Sequence, residues 1–258
     1  MKTDHHLVDI LRKLKLSGIQ DTLEVRLEQA RQTEMDHVEF LLLLLQDEVE
    51  RRAAQRLNNL VARAGFEQDK TMEGFDFKAL PKLKPHLVRE LATCRFIERK
   101  EHVILCGPTG VGKTHLAQAL GHMACRQGHR VLFTKAAKML RRLHAAKADH
   151  SWDKAIRQYL APGLLIIDDF GLPSYNPSQA ADIYEIIAER CLSASTLVTS
   201  NRPIQDWPAL FPDPVLAQAA VDRMRQNAHL VTIEGDSYRG RLKPKKAQGE
   251  KEENQQEG

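Results

Sequence analysis

The chain has 258 residues, of which 28% are charged and 42% hydrophobic, and carries a formal net charge of +4. That length holds one full domain and a smaller unit with ample material for a core, and the mild excess of positive charge favours an anionic partner. No apolar run approaches the roughly 20 residues of a membrane helix. No signal peptide is visible, and Cys94, Cys106, Cys125 and Cys191 show neither metal-ligand nor redox spacing, so a cytoplasmic protein with reduced, space-filling thiols is expected.

Residues 1–70 read as a small all-α domain for interaction with a partner or DNA. Leu7, Ile10, Leu11 and Leu14 recur at helical spacing, as do Leu57, Leu60, Val61 and Ala64. Gly18 and Gly65 mark breaks, Asp36 with Glu39 resembles a capping box, and the run Phe40 to Leu45 reads as the core of this unit. Arg12 and Lys15 read as charges on a solvated helix face, with contact to DNA as the alternative. Residues 71–85 form a linker whose Phe75 and Phe77 are expected to dock on the next domain. From His86 onward helices and strands alternate, which implies a parallel sheet between helix layers over 86–242. Residues 243–258 are polar and highly charged and read as a disordered tail.

The first strand, His102 to Cys106, runs into Gly107-Pro108-Thr109-Gly110-Val111-Gly112-Lys113-Thr114-His115. This fits G-x-x-x-x-G-K-[ST] between a strand and a helix, the context of a phosphate-binding loop. Glycines let successive N–H groups turn toward a phosphate, and the helix start adds its positive dipole end. Lys113 is placed to reach β- and γ-phosphates and Thr114 to offer a hydroxyl to Mg²⁺. A plain glycine-rich turn is the competing reading.

After a strand at Arg130 to Thr134, the segment Lys135 to Ala146 looks helical. Lys135, Lys138, Arg141 and Arg142 fall at spacings that can share one face. Such a face suits the phosphate backbone of DNA, with salt-dependent and largely sequence-independent affinity. No aromatic interleaves these charges, which favours duplex over single strand. A solvated helix face is the alternative.

A third strand carries the apolar run Leu164 to Ile167 into Asp168 and Asp169. A buried parallel strand ending in carboxylates places them where open α/β sheets bind ligands. Asp168 is read as a Mg²⁺ partner and Asp169 as the group that polarises an attacking water; two solvated turn aspartates would be the plain account. The next strand, Ser195 to Thr199, leads into Asn201, whose amide is placed to orient that water. Val221 to Arg225 precedes a last strand, Leu230 to Ile233. Arg223 there fits an arginine finger reaching a neighbouring subunit's site, or a charge on a solvated helix with Asp222 paired locally. Arg225 is a weaker candidate for the same role.

Taken together, Lys13 to Ile19, Gly74-Phe75-Asp76-Phe77, the phosphate loop, Leu165 to Gly171, Thr199-Ser200-Asn201-Arg202-Pro203 and Gly235 to Arg239 resemble the IstB family, ATP-binding helpers of bacterial insertion sequences. The likeness runs from residue 5 to about residue 242. It implies a P-loop NTPase of the AAA+ class, related to the helicase loader DnaC and the initiator DnaA, with a five-stranded parallel sheet. By position it implies Walker A at Lys113 and Thr114, Walker B at Asp168 and Asp169, sensor 1 at Asn201 and the finger at Arg223. It further implies an ATPase using ATP and Mg²⁺, a homo-oligomer with ATP at subunit interfaces, assembly on target duplex DNA, and recruitment of the cognate transposase. Too few residues follow Ile233 for a full helical lid, so a lid-borne sensor arginine is not expected, and Arg239 stands as a candidate functional basic residue. A replicative helicase loader is the alternative with the same ATPase core, and a small-molecule kinase a more distant one.

Overall fold

The computed structural model describes residues 5–67, 70–77 and 83–235. Arg239 and the 243–258 segment lie outside the described residues. Three helices open the chain: α1 (His5–Lys13), α2 (Ser17–Gln32) and α3 (His37–Ala64). Leu11, Ile19, Leu23 and Leu44 form their common core, with Leu16, Leu27 and Phe40 packed against it. Asp36 caps α3 by accepting the Val38 N–H, and Gly65 ends it in a left-handed conformation at φ 74°. At 28 residues, α3 is about 42 Å long. Its first part packs on α2, while Leu57, Leu60 and Val61 pack on the core of the sheet domain, where Ala64 is fully buried.

Two expectations for this unit need correction. Gly18 does not break a helix; it sits in the first turn of α2, where its N–H donates to the buried Glu48 carboxylate at 2.6 Å. The first N–H groups of a helix lack intrahelical acceptors, and a carboxylate there meets both that need and the dipole. The leucine run is also only partly core: Leu44 is buried, but Leu41, Leu42 and Leu45 are exposed. Six consecutive apolar residues wrap the whole circumference of a helix, and α2 covers one side.

The remaining elements are α4 (Pro85–Ala92), α5 (Arg95–Glu98), β1 (His102–Cys106), α6 (Lys113–Arg126), β2 (Val131–Lys135), α7 (Ala136–Ala148), α8 (Trp152–Leu160), β3 (Leu164–Phe170), α9 (Pro177–Arg190), β4 (Ser195–Ser200), a 3-10 helix (Ile204–Leu210), α10 (Pro214–Arg225) and β5 (Ala228–Thr232). The five strands form one parallel sheet in the order β2-β3-β4-β1-β5.

Alternate strand residues feed two cores. Val103, Leu105, Leu164, Ile166 and Leu197 meet Leu116 and Leu120 of α6, whereas Ile104, Leu165, Ile167 and Val198 meet Met139, Leu143, Ile183 and Trp207. This two-sided burial is why β1 and the first part of β3 read as continuous apolar runs. Three of the four cysteines are buried and all four are free. Among the described residues no helix is long and apolar enough to cross a membrane.

Candidate nucleotide site

β1 ends at Cys106 and α6 begins at Lys113, so Gly107 to Gly112 form the loop between a buried strand and a helix N-terminus. The backbone there tolerates no substituent at its entry. A Cβ on Gly107 would stand 2.1 Å from the Ile233 carbonyl oxygen, a contact fixed because the Ile233 N–H donates to the Cys106 carbonyl at 2.7 Å. Gly112 holds φ +90°, a left-handed conformation that side chains disfavour. Val111 is buried, whereas Pro108 and Thr109 are exposed at the loop tip. The Lys113 ammonium lies across the loop and donates to the carbonyls of Gly107 at 2.8 Å and Pro108 at 2.7 Å.

Thr114 and Asp168 meet as the sequence pattern requires. The Thr114 hydroxyl lies 2.9 and 3.1 Å from the two Asp168 oxygens. Burial pushes the Asp168 carboxyl above the ordinary carboxylate range; the Thr199 and Thr114 hydroxyls oppose the shift and neighbouring Asp169 adds to it.

β3 runs one residue past the pair, and both aspartates belong to it. The register between β3 and β4 shifts between Ile167 and Phe170, and Asp169 takes φ 57°. A bulge with a non-glycine residue in the left-handed region re-aims a side chain at some cost in backbone energy. Asp168 therefore stays buried while Asp169 is partly exposed.

Thr199 is the member of this cluster that the sequence reading did not single out. Fully buried, it donates its hydroxyl to Asp168 at 2.5 Å and accepts the Asp169 N–H at 3.0 Å. Asn201 follows the last residue of β4, the strand lying between β3 and β1, and is exposed at the carboxyl edge of the sheet. It lies beside the strand of the two aspartates.

The linker docks as its aromatics suggested. Phe75 is buried, with its ring edge 3.4 Å from where a Cβ on Gly112 would lie. It also stacks edge-on against His115, at 5.3 Å between ring centroids. His115 Nε2 is 2.9 Å from the Thr71 carbonyl oxygen, which can only accept, so that nitrogen carries the hydrogen. The helix that follows the phosphate loop is thus tied to the linker.

Arg223 is half-buried on α10, its guanidinium 5.0 Å from the Tyr184 ring centroid. Asp222 accepts from Gln218 at 2.8 Å. Neither belongs to the Thr114, Asp168 and Thr199 cluster.

Of the four basic positions, Lys138, Arg141 and Arg142 are exposed on α7 opposite the buried Met139, Leu140 and Leu143. Lys135 is not on that face: it is the last residue of β2, and its ammonium pairs with Glu67 at 2.8 Å. The helix starts one residue later than the charge spacing implied.

Chemically, the loop and the dipole end of α6 can cradle a polyphosphate. Thr114 and Asp168 offer the hard oxygen donors that Mg²⁺ takes alongside phosphate oxygens and water. Among the described residues no group of three or more His, Cys, Asp or Glu side chains could hold a metal ion. A family model described as IstB-like ATP-binding protein matches residues 9–247.

The chain belongs to the IstB-like ATP-binding protein family.

Within this family it is 45% identical over 242 residues to an insertion-sequence ATP-binding protein of Mycobacterium tuberculosis, covering 93% of this chain and 96% of that one. It is 38% identical over 245 residues to the ATP-binding protein of insertion sequence IS21 of Pseudomonas aeruginosa, covering 95% and 92%. Among solved structures it is similar to DnaA of Aquifex aeolicus bound to AMPPCP, with a TM-score of 0.54, 22% identity, and 67% of this chain and 52% of that chain covered. It is also similar to the crystal structure of DnaI, with a TM-score of 0.56, 19% identity and coverage of 68% and 93%. At these identities the structural likeness establishes an AAA+ fold for the IstB-like chain.

Proposed function

We propose that this chain is an ATP-dependent, DNA-binding AAA+ regulator of transposition that assembles on duplex DNA in the bacterial cytoplasm and recruits and stimulates its transposase. The observation that carries the reading is the joining of Thr114, Asp168 and Thr199 at the phosphate loop of a chain whose relatives are named as insertion-sequence ATP-binding proteins.

In this reading Lys113 exchanges its two loop carbonyls for β- and γ-phosphate oxygens, and the Gly107 to Gly112 backbone and His115 complete the nucleotide site. Thr114 and Asp168 would hold Mg²⁺, which when bound would supply charge to neutralise the phosphate oxygens. Asp169, aimed outward by the bulge, polarises the attacking water, and Asn201 orients it. Arg223 leaves the Tyr184 ring to reach the γ-phosphate held by a neighbouring subunit. A nucleotide between subunits makes their contact depend on the γ-phosphate, so hydrolysis loosens the assembly. Lys138, Arg141 and Arg142 form the duplex-facing surface of α7.

The test is self-association and duplex binding of the full chain with ATP, a non-hydrolysable analogue or ADP, at two salt concentrations, beside Lys113→Ala. Cooperative, salt-sensitive binding that needs the γ-phosphate and is lost in Lys113→Ala is expected. Equal association with ATP and ADP would overturn it. Preference for single strands, with capture of a replicative helicase instead of the transposase, would point to helicase loading.

A further inference from the structure

Five cations line a cleft of about 540 Å³ between the turn after α1 and the outer side of α3: Lys15, Arg51, Arg52, Arg56 and Arg63, against one carboxylate, Glu48. We propose that this cleft is a second binding site for the phosphate backbone of duplex DNA, separate from the α7 face. It rests on the reading of the chain as a duplex-binding protein, and extends it to the N-terminal unit.

Charge is concentrated here against the trend of the surrounding sequence. The first half of α3 carries Asp36 as its cap and then Glu39, Asp47, Glu48 and Glu50, whereas Arg51, Arg52, Arg56 and Arg63 follow on its second half. Two of the five cations are paired, Arg52 with Glu48 at 2.6 Å, which also accepts the Gly18 N–H, and Arg51 with Asp21 at 3.4 Å. Among the described residues, no carboxylate pairs with Lys15, Arg56 or Arg63. All three are exposed. The wall is built rather than incidental: Lys15 takes φ 57°, and its carbonyl accepts from Arg52 Nη2 at 3.2 Å, which fixes the turn to α3.

The shape selects a polyanion. Arg52, Arg56 and Arg63 stand at i, i+4 and i+11, a ridge along one helix face about 16 Å long at 1.5 Å per residue. One phosphate or one nucleotide spans too little of that ridge, whereas the same length of duplex presents about nine charges. No aromatic side chain lines the cleft, so it offers no platform for unstacked bases, which argues for duplex over single strand. Arg56 also lies beside Gly128 in the turn from α6 to β2, 3.6 Å from where a Cβ would be. DNA held here would touch the far end of the helix that begins at the phosphate loop.

The experiment measures affinity of the full-length protein with ATP for a random-sequence duplex across a salt series, for the wild type, Arg56→Gln/Arg63→Gln and Lys138→Gln/Arg141→Gln, with melting temperatures recorded for each. For the cleft variant an unchanged melt is expected. Its slope of log affinity against log salt should be shallower by about 1.8, at about 0.9 per phosphate contact. A slope and affinity equal to wild type, with loss confined to the α7 variant, overturns the cleft while leaving duplex binding intact. Absence of duplex binding by the wild type overturns both readings. Loss in the cleft variant alone supports the cleft and removes α7.

Discussion

Thr199 donates its hydroxyl to Asp168 at 2.5 Å from the neighbouring strand, and the same oxygen accepts the Asp169 N–H at 3.0 Å. One buried hydroxyl therefore sets both the orientation of the first carboxylate and the backbone turn that sends the second outward. Thr199→Val keeps the shape and removes both bonds. With the proposed ATPase activity, turnover should fall at least about tenfold, with a stability loss of about 1 to 3 kcal/mol from the unpaired Asp169 N–H and Asp168 oxygen. Thr199→Ser should restore most of the activity. Steady-state hydrolysis beside denaturant unfolding checks this; unaltered turnover in Thr199→Val would mean that Thr114 alone positions Asp168.

Arg190 is the largest polar investment in the core outside that cluster. It is 1% exposed and donates to the carbonyls of Tyr159 at 2.9 Å, Leu160 at 3.0 Å and Pro162 at 2.9 Å, to Thr196 Oγ1 at 3.1 Å, and to the Ser195 carbonyl. Burial pulls its pKa down to about 10, so it stays charged at neutral pH, facing the free carbonyl end of α8. Arg190→Met should lower unfolding free energy by about 3 kcal/mol or more, since it leaves several buried carbonyls unpaired. Arg190→Lys should recover little, because one ammonium cannot reproduce the planar fork. Urea unfolding with an unchanged m-value is the measurement.

Much of this architecture is legible in the sequence because its causes are local. A strand buried on both faces favours a continuous apolar run, so β1 and the first part of β3 announce themselves, and a phosphate loop needs its glycines at fixed spacing. The burial of Phe75 is legible because an aromatic in a linker needs a surface to cover it. Thr199 was not legible, since threonine is an ordinary strand former and its role depends on the pairing of β3 with β4. The outward turn of Asp169 follows from the same register shift. Lys135 misleads for a related reason: its partner Glu67 lies far off in sequence, and the charge spacing says nothing of where β2 ends. The leucines of α3 are hydrophobic enough for a core, and only the placement of α2 decides which are covered.

His102 makes stability depend on pH. It is 1% exposed, and its Nδ1 accepts the Thr196 N–H at 3.1 Å, so the neutral ring carries its hydrogen on Nε2. Burial depresses its pKa below the ordinary 6.5, the Arg190 charge lowers it further, and the Cys191 backbone opposes the shift. Below 6.5 the unfolded chain takes up a proton that the folded chain refuses. The stabilisation is therefore full above about pH 6.5 and is lost as pH falls toward the depressed value, with a slope of up to about 1.36 kcal/mol per pH unit. His102→Gln should flatten unfolding free energy between about pH 7 and 5. The depressed carboxylates Asp47 and Glu48 act only at and below the ordinary carboxylate range, so the two windows separate. An unchanged profile in His102→Gln would assign the dependence elsewhere.

Phe75 connects the linker to nucleotide affinity. Its ring lies against Gly112 and His115 while its N–H donates to the Met72 carbonyl at 3.2 Å. His115 in turn holds the Thr71 carbonyl, so residues 71–75 brace the end of the phosphate loop and the first turn of α6 from outside. None of these groups belongs to the Asp168 cluster. Loosening the brace should weaken the preorganisation of the loop N–H groups, which bind ground state and transition state alike, so KM for ATP should rise and kcat should hold. Phe75→Leu keeps most of the volume and should cost less than about 1.5 kcal/mol in folding, with about a fivefold rise in KM if roughly 1 kcal/mol of binding is lost. Phe75→Ala should unfold more easily, as Phe to Ala changes in cores cost about 3 to 5 kcal/mol. Nucleotide titrations beside steady-state kinetics separate the outcomes. A fall in kcat at constant KM in Phe75→Leu would mean that the brace acts on the positioning of Asp168 and Asp169 rather than on the phosphate cradle.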